Sequence, residues 1–179
     1  MGCVSCAVLH HTEYPLLLLN VKVNEDKETG TCRLDATELL RHVLHPTDFS
    51  EIAKRAFGYL ERLAPQGVTQ ATLLHALEGV AGMQYPPGFQ EAADSDARES
   101  QAELRERLLA AGVSPVNMRL SFGHPVQLIL DAMKGQDFSL IVMGTQGKGF
   151  IEEIFLGSVA HNISRLASCP VLLIPPVSR

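Results

Sequence analysis

Residues Ile141 to Val159 read IVMGTQGKGFIEEIFLGSV, and this stretch decides the fold. It begins in an apolar run, Leu140-Ile141-Val142-Met143, with the character of a short strand buried on both faces. A glycine-rich turn follows at Gly144, Gly147 and Gly149, and Gly157-Ser158 then opens a helical pattern from Val159. Glycines let a ligand sit against bare backbone amides. A helix starting at Gly157-Ser158 aims unpaired N–H groups and the positive end of its dipole at the same place. The parts make an anion cradle suited to phosphate. The spacing is G-x2-G-x9-G-S, which differs from the Walker loop, since Phe150-Ile151 follow Gly149 where Lys-Ser/Thr would be needed. It also differs from the dinucleotide fingerprint, which follows a first strand rather than a late one. The plainer reading is a glycine-rich strand-to-helix connection with Ser158 as the N-cap.

Outward from this stretch the chain alternates strands and helices. His42-Val43-Leu44-His45 is a strand stopped by Pro46, and Asp48 and Ser50 can cap a helix over Glu51 to Ala64. Val68 to Leu77 is a second strand. Gly79 to Ser95 is read as a long loop, and Ala97 to Ala111 as a charged amphipathic helix. Val116 to Phe122 alternates as a strand, and Gly123-His124-Pro125 starts a helix through Met133. A last helix, Val159 to Ala167, leads to a last strand, Val171 to Ile174. Helical crossovers between successive strands demand a parallel sheet covered on both faces. The fold expected is α/β: an open, doubly wound, five-stranded parallel sheet of Rossmann-like type. One reversal of strand order puts a crevice at the carboxyl ends of its first and fourth strands. Pro46-Thr47-Asp48 and Gly144 end those two strands, so distant segments meet at one crevice.

Residues 1–37 precede this unit. Laid onto the C-terminus with Gly2 against Gly157, an offset of 155, GCVSCAVLHHTEYPLLLL faces GSVAHNISRLASCPVLLI. Gly2, Val4, Pro15, Leu17 and Leu18 then match Gly157, Val159, Pro170, Leu172 and Leu173. Chance supplies roughly one identity in twenty positions. The alignment reads as an internal repeat, residues 2–23 resembling the last helix and strand of a preceding copy; the alternative is a shared grammar of helix, proline and apolar strand. Residues 15–23 alternate as a strand, expected to dock on the last strand of this chain or of a partner. Asn24 to Asp35 is polar and reads as a linker.

The 179 residues, 46% hydrophobic and 20% charged, suit one domain with a sizeable core beyond this leader. A net charge of −5 and pI ≈ 5.8 provide no basic field for nucleic acid or anionic membrane. No apolar stretch approaches membrane-spanning length and no signal-peptide pattern stands at the start, so a soluble cytoplasmic protein is expected. Cys3 and Cys6 have C-x2-C spacing, but no second pair accompanies them, and they read as reduced thiols; no metal site is expected.

With these motifs together, the chain from about Leu39 to Ile174 resembles the universal stress protein family, and residues 38–179 are taken as that domain. The resemblance rests on Pro46-Thr47-Asp48-Phe49-Ser50-Glu51, Leu73-Leu74-His75, Gly123-x-Pro125, Ile141-Val142-Met143-Gly144, the G-x2-G-x9-G-S pattern and Cys169-Pro170-Val171. Ser139, where the family usually has an acidic residue, and Gln146, where histidine or arginine is common, are departures. The resemblance implies a fold like that of the adenine nucleotide alpha hydrolases and membership of the ATP-binding subclass. Carried over, Pro46, Thr47 and Asp48 lie at the ribose and adenine, and the Ala76 backbone reads the base edge. Met143 and Gly144 pack by the ribose, and Gly147, Gly157, Ser158 and Val159 hold phosphates with help from Lys148. From the residues alone, a helix cap remains the alternative for Asp48 and a solvated loop side chain for Lys148. The implied ligand is ATP, with ADP or AMP as alternatives, and Mg or Mn held mainly by the phosphates. The implied partner is a second domain of the same kind, as a homodimer or in tandem, through the last strand. No residue is assigned a catalytic role. The function expected is nucleotide-dependent regulation in a stress response, with slow ATP hydrolysis or autophosphorylation as the alternative; no clear base stands beside the cradle, and Glu152 and Glu153 of the nine-residue insert also read as surface charge.

Overall fold

The computed structural model describes residues 13–19, 36–77, 89–147 and 156–176. Its strands are β1 (Leu16–Leu18), β2 (His42–Pro46), β3 (Gln70–Leu77), β4 (Val116–Phe122), β5 (Leu140–Gly144) and β6 (Val171–Ile174). Its helices are α1 (Ala36–Leu39), α2 (Glu51–Leu63), α3 (Phe89–Ala110), α4 (Pro125–Gly135) and α5 (Ser158–Leu166). They form one six-stranded sheet in the order β1-β6-β5-β2-β3-β4. β2 to β6 run parallel, and β1 alone is antiparallel, on β6. The five-stranded parallel sheet with an added N-terminal strand is therefore the observed fold, and β1 docks on its own chain.

Alternation in the strands explains why helices cover both faces. Leu44, Ile141, Met143, Val171 and Leu173 turn to one side, against Ile129 and Ala132 of α4 and Ala160 and Ile163 of α5. Val43, Leu140 and Val142 turn to the other, against Phe57 and Leu60 of α2 and Leu104 and Leu108 of α3. Each fully buried aliphatic side chain is worth about 1.5–3 kcal/mol. α2 starts where the sequence places it: Ser50 is the N-cap and accepts from Ala53 N–H at 3.2 Å. Buried Gln101 of α3 donates to Leu73 O at 3.3 Å and Arg119 O at 3.0 Å, clipping the helix to β3 and β4. Ser139 serves at the foot of β2, donating to Leu39 O at 2.9 Å and accepting from His42 N–H at 2.9 Å.

One boundary differs from the sequence reading. α3 begins at Phe89, so the expected loop from Gly79 to Ser95 is helical over its last part. The polarity of FQEAADSDARES suggests a loop, yet no glycine or proline stands between Gly88 and Gly112, and Gln, Glu, Ala and Arg are competent helix formers. The expected leader helix turn, the linker, Cys3 and Cys6 lie outside the described residues. Among the described residues no helix is long and apolar enough to cross a membrane.

Candidate functional site

Strand order reverses between β2 and β5. β3 and β4 continue the sheet from β2, and β6 continues it from β5. The chain leaving β2 goes one way and the chain leaving β5 the other, and a crevice opens between them. It holds a cavity of about 720 Å³, ample for a nucleotide-sized ligand.

The β2 rim is the turn Pro46-Thr47-Asp48-Phe49. Two side chains hold it: Thr47 Oγ1 accepts from Phe49 N–H at 3.1 Å, and Asp48 Oδ1 accepts from Ser50 N–H at 3.0 Å. His75 Nδ1, facing the Thr47 carbonyl at 2.8 Å, must be its donor, and the His75 ring lies 4.6 Å from that of Phe49. Phe49 has φ 60, a left-handed conformation costly for a bulky residue and kept only where its surroundings fix it. The capping reading of Asp48 is thereby corrected. Ser50 caps α2, while Asp48 closes an Asx turn and lines the cavity.

The opposite rim is Met143 to Gly147 with the start of α5. Gly147 passes so close to Asp48 that a Cβ there would collide with Asp48 Oδ2. A Cβ on Gly144 would stand 2.7 Å from Ile52 Cγ2. Gly157, not Ser158, is the N-cap of α5, and no side chain caps the helix. Its N–H donates to Thr145 O at 2.7 Å, and a Cβ there would meet that same carbonyl at 3.3 Å. The start of the helix is thus packed tightly onto the β5 turn at Gly157. Ser158 occupies the first turn, and its hydroxyl belongs to the cavity lining rather than to a cap. The amides of Ser158, Val159 and Ala160 carry the positive end of the dipole into the crevice.

β3 forms the floor. The β2–β3 ladder ends at Pro46↔Leu74, and Thr47 N–H donates to Leu74 O at 2.9 Å. Backbone groups alternate sides along a strand. Ala76, two residues on, therefore turns its N–H and C=O the same way as Leu74, past the end of β2 and along the cavity wall. β2 and β5 share only the pairs Val43↔Leu140 and Leu44↔Ile141. Beyond them the buried His45 side chain takes over, its Nδ1 lying 2.8 Å from Val142 O. The carbonyl can only accept, so Nδ1 carries the proton. His45 Nε2 has no hydrogen-bond partner among the described residues. A second proton would be buried without an acceptor, and burial pulls the pKa down to about 4.

Of the residues singled out in the sequence, Pro46, Thr47, Asp48, Ala76, Met143, Gly144, Gly147, Gly157, Ser158 and Val159 all line this one cavity. Lys148 lies outside the described residues, as do Gly149, Glu152 and Glu153. The sequence reading missed Asp96 and Ser100 of α3, which wall the cavity, and Thr145 and Gln146 within the motif itself. Thr145 and Gln146 stand between two glycines already singled out, a signal that was present; nothing local marks Asp96 or Ser100. Among the described residues no group of three His, Cys, Asp or Glu side chains converges as a metal site.

The family model described as the universal stress protein family matches residues 40–175. The chain belongs to that family. A universal stress protein of Thermus aquaticus, encoded in a QAH/OAS sulfhydrylase 3′ region, is 32% identical over 136 residues, covering 76% of this chain and 99% of that protein. The solved structure of MJ0577, a universal stress protein of Methanocaldococcus jannaschii, superposes with a TM-score of 0.71 at 24% identity, over 79% of this chain and 99% of that one. A longer universal stress protein of Archaeoglobus fulgidus matches 97% of this chain with only 55% of its own, at TM-score 0.65 and 24% identity. The six-stranded, mostly parallel sheet is thus a universal stress protein fold with one strand added at its β6 edge.

Proposed function

We propose that this universal stress protein domain binds ATP in the β2–β5 crevice and acts in a stress response through nucleotide occupancy and protein contacts. The observation that carries the reading is the crevice's polarity. One rim presents the Asp48 carboxylate, and the other a glycine turn, the Ser158 hydroxyl and the start of α5. A carboxylate suits the hydroxyls or amine of a nucleoside and repels phosphate, whereas bare amides, a hydroxyl and a helix N-terminus attract it. The Ala76 backbone offers a donor and an acceptor to a base edge. Pro46, Thr47, Met143 and Gly144 flank the ribose, and Gly147, Gly157, Ser158 and Val159 surround the phosphates. A Mg or Mn ion in this reading is held mainly by the phosphates. Two solved universal stress proteins of this fold are described as complexes with cAMP (TM-score 0.57, 24% identity) and with dAMP (TM-score 0.54, 20% identity). They support an adenine nucleotide as the class, with ADP or AMP the nearest alternatives to ATP. The domain's partner in this reading is a second domain of the same kind, in a homodimer or in tandem, at the β6 edge.

Calorimetry on two variants tests the assignment. Asp48→Ala should weaken ATP and adenosine alike, by roughly tenfold or more for a lost charge-assisted hydrogen bond. Ser158→Ala should weaken ATP and leave adenosine unchanged. Failure of the native chain to bind ATP at millimolar concentration, or unchanged affinities in both variants, refutes the site. The mass of any nucleotide released on denaturation identifies the occupant.

A further inference from the structure

α2 has a second face that the crevice does not use. Arg55, Gly58, Tyr59 and Arg62 fall at i, i+3, i+4 and i+7 and make one stripe along the helix. The stripe walls a surface groove to which Ile52 and Pro176 add apolar surface. No residue of this groove lines the crevice cavity. Gly58 is the first peculiarity. A glycine inside a helix costs stability relative to alanine. A Cβ at Gly58 would meet nothing within 4 Å, so packing does not require the glycine. Its missing side chain leaves the groove open between Arg55 and Arg62.

The charges are the second. With 20 acidic side chains to 15 Lys and Arg, a cation on this chain has carboxylates to spare. Lys54, in the same groove, is bound to Glu51 at 2.8 Å, and Arg107 reaches Glu61 of α2 at 2.6 Å. Arg55 and Arg62 have no carboxylate within ion-pair distance among the described residues. The Arg55 Nε–H is buried and lacks an acceptor among them, which costs free energy until an acceptor arrives. Arg62 is held by the Tyr59 ring, its guanidinium carbon 3.9 Å from the ring centroid. Arg62 foremost, with Arg55 adding to it, lowers the pKa of the Tyr59 hydroxyl, so both guanidiniums lie beside that oxygen. With Lys54 and Glu51 neutralising each other, the groove carries two uncompensated positive charges around one hydroxyl.

We infer that this groove is a second anion site, separate from the crevice, for a phosphate monoester: Arg55 and Arg62 hold the phosphate beside Tyr59, and Ile52 and Pro176 take the organic part. Guanidinium forks match phosphate oxygens in pairs. A phosphate monoester carries roughly two negative charges at neutral pH and balances both arginines, where a carboxylate supplies only one. The open space over Gly58 admits the group between them. The inference does not depend on what the crevice binds.

The test uses the full chain, isotope-labelled for amide NMR. Inorganic phosphate and phenyl phosphate are titrated at constant ionic strength, with chloride as the control. The expected result is saturable amide shifts at Arg55, Gly58, Tyr59 and Arg62, with millimolar Kd and tighter binding of phenyl phosphate. Arg55→Gln and Arg62→Gln should each weaken phenyl phosphate by roughly tenfold. Gly58→Leu should fill the groove and abolish the shifts at Arg55, Tyr59 and Arg62. As a better helix former it should also raise Tm by roughly 2–4 °C, which separates blocked binding from a damaged fold. A short peptide with a central phosphotyrosine distinguishes the sources. Binding tighter than that of phenyl phosphate identifies a protein-borne phosphate, and equal or weaker binding a free ester. Shifts that chloride reproduces, or that never saturate, overturn the inference. So does unchanged affinity in both arginine variants, or a Gly58→Leu chain that binds as the native chain does or melts lower. Shifts confined to Gly147, Ser158 and Val159 would put the phosphate in the crevice alone, overturning this site and leaving the nucleotide reading intact.

Discussion

Lowering the pH should loosen this domain through His45, and the size of the effect follows from its surroundings. His45 is fully buried, donates from Nδ1 to Val142 O, and has its ring centroid 5.6 Å from that of Phe57. Its folded pKa is lowered from 6.5 to about 4. Between those values the unfolded chain binds a proton that the folded chain refuses, so stability rises with pH across the window. The contribution is fully present above pH 6.5 and is lost as pH falls toward 4. A gap of this size corresponds to about 3 kcal/mol, with a slope of at most about 1.4 kcal/mol per pH unit. His42, also pulled down mainly by its burial, adds to the slope with the same sign. The variant His45→Asn isolates the His45 part, because it keeps a donor near the Nδ1 position and removes the titration. At pH 7 it should cost about 1–3 kcal/mol in lost ring packing. Urea unfolding of both proteins from pH 4 to pH 8 should show the stability gap closing as pH falls. Parallel curves for native and His45→Asn chains would refute the argument.

Three further outcomes follow from other contacts. Gly144→Ala should destabilise by about 1–3 kcal/mol, because its Cβ would stand 2.7 Å from Ile52 Cγ2 in a packed wall; a thermal melt within error of native would contradict this. Cys169 is buried, and burial raises its thiol to about 11, so it should react far more slowly with a thiol reagent at neutral pH when folded than in denaturant, read by mass. ATP turnover by the pure protein should stay far below the ordinary enzyme range of about 10 s⁻¹; a rate in that range, lost in Ser158→Ala, would instead support the hydrolytic reading.

Sequence alone determined those features whose physics is local. Apolar runs of strand length, capped helices and crossover spacing specify a doubly wound parallel sheet, because each element's periodicity states which faces must be buried. The glycine turn at Gly144 and Gly147 and the Pro46-Thr47-Asp48 turn were legible for the same reason: a close backbone approach restricts residue type wherever it occurs. Tertiary structure decided what depends on partners distant in the chain. Asp96 and Ser100 wall the cavity only because α3 packs over β3, and nothing in their neighbours announces it. Gly157 reads as a phosphate contact in sequence, yet a Cβ there would also press on Thr145 O at 3.3 Å across the turn. His45 looks like any residue of a buried strand until Val142 supplies the one acceptor it meets. The sequence offers a leucine-rich segment with strand alternation ahead of the domain. Only the three-dimensional register, with Leu17 opposite Leu172, shows which strand it pairs with and in what direction. A register is set by cooperative matching of two edges, and one strand's own sequence holds half of that information.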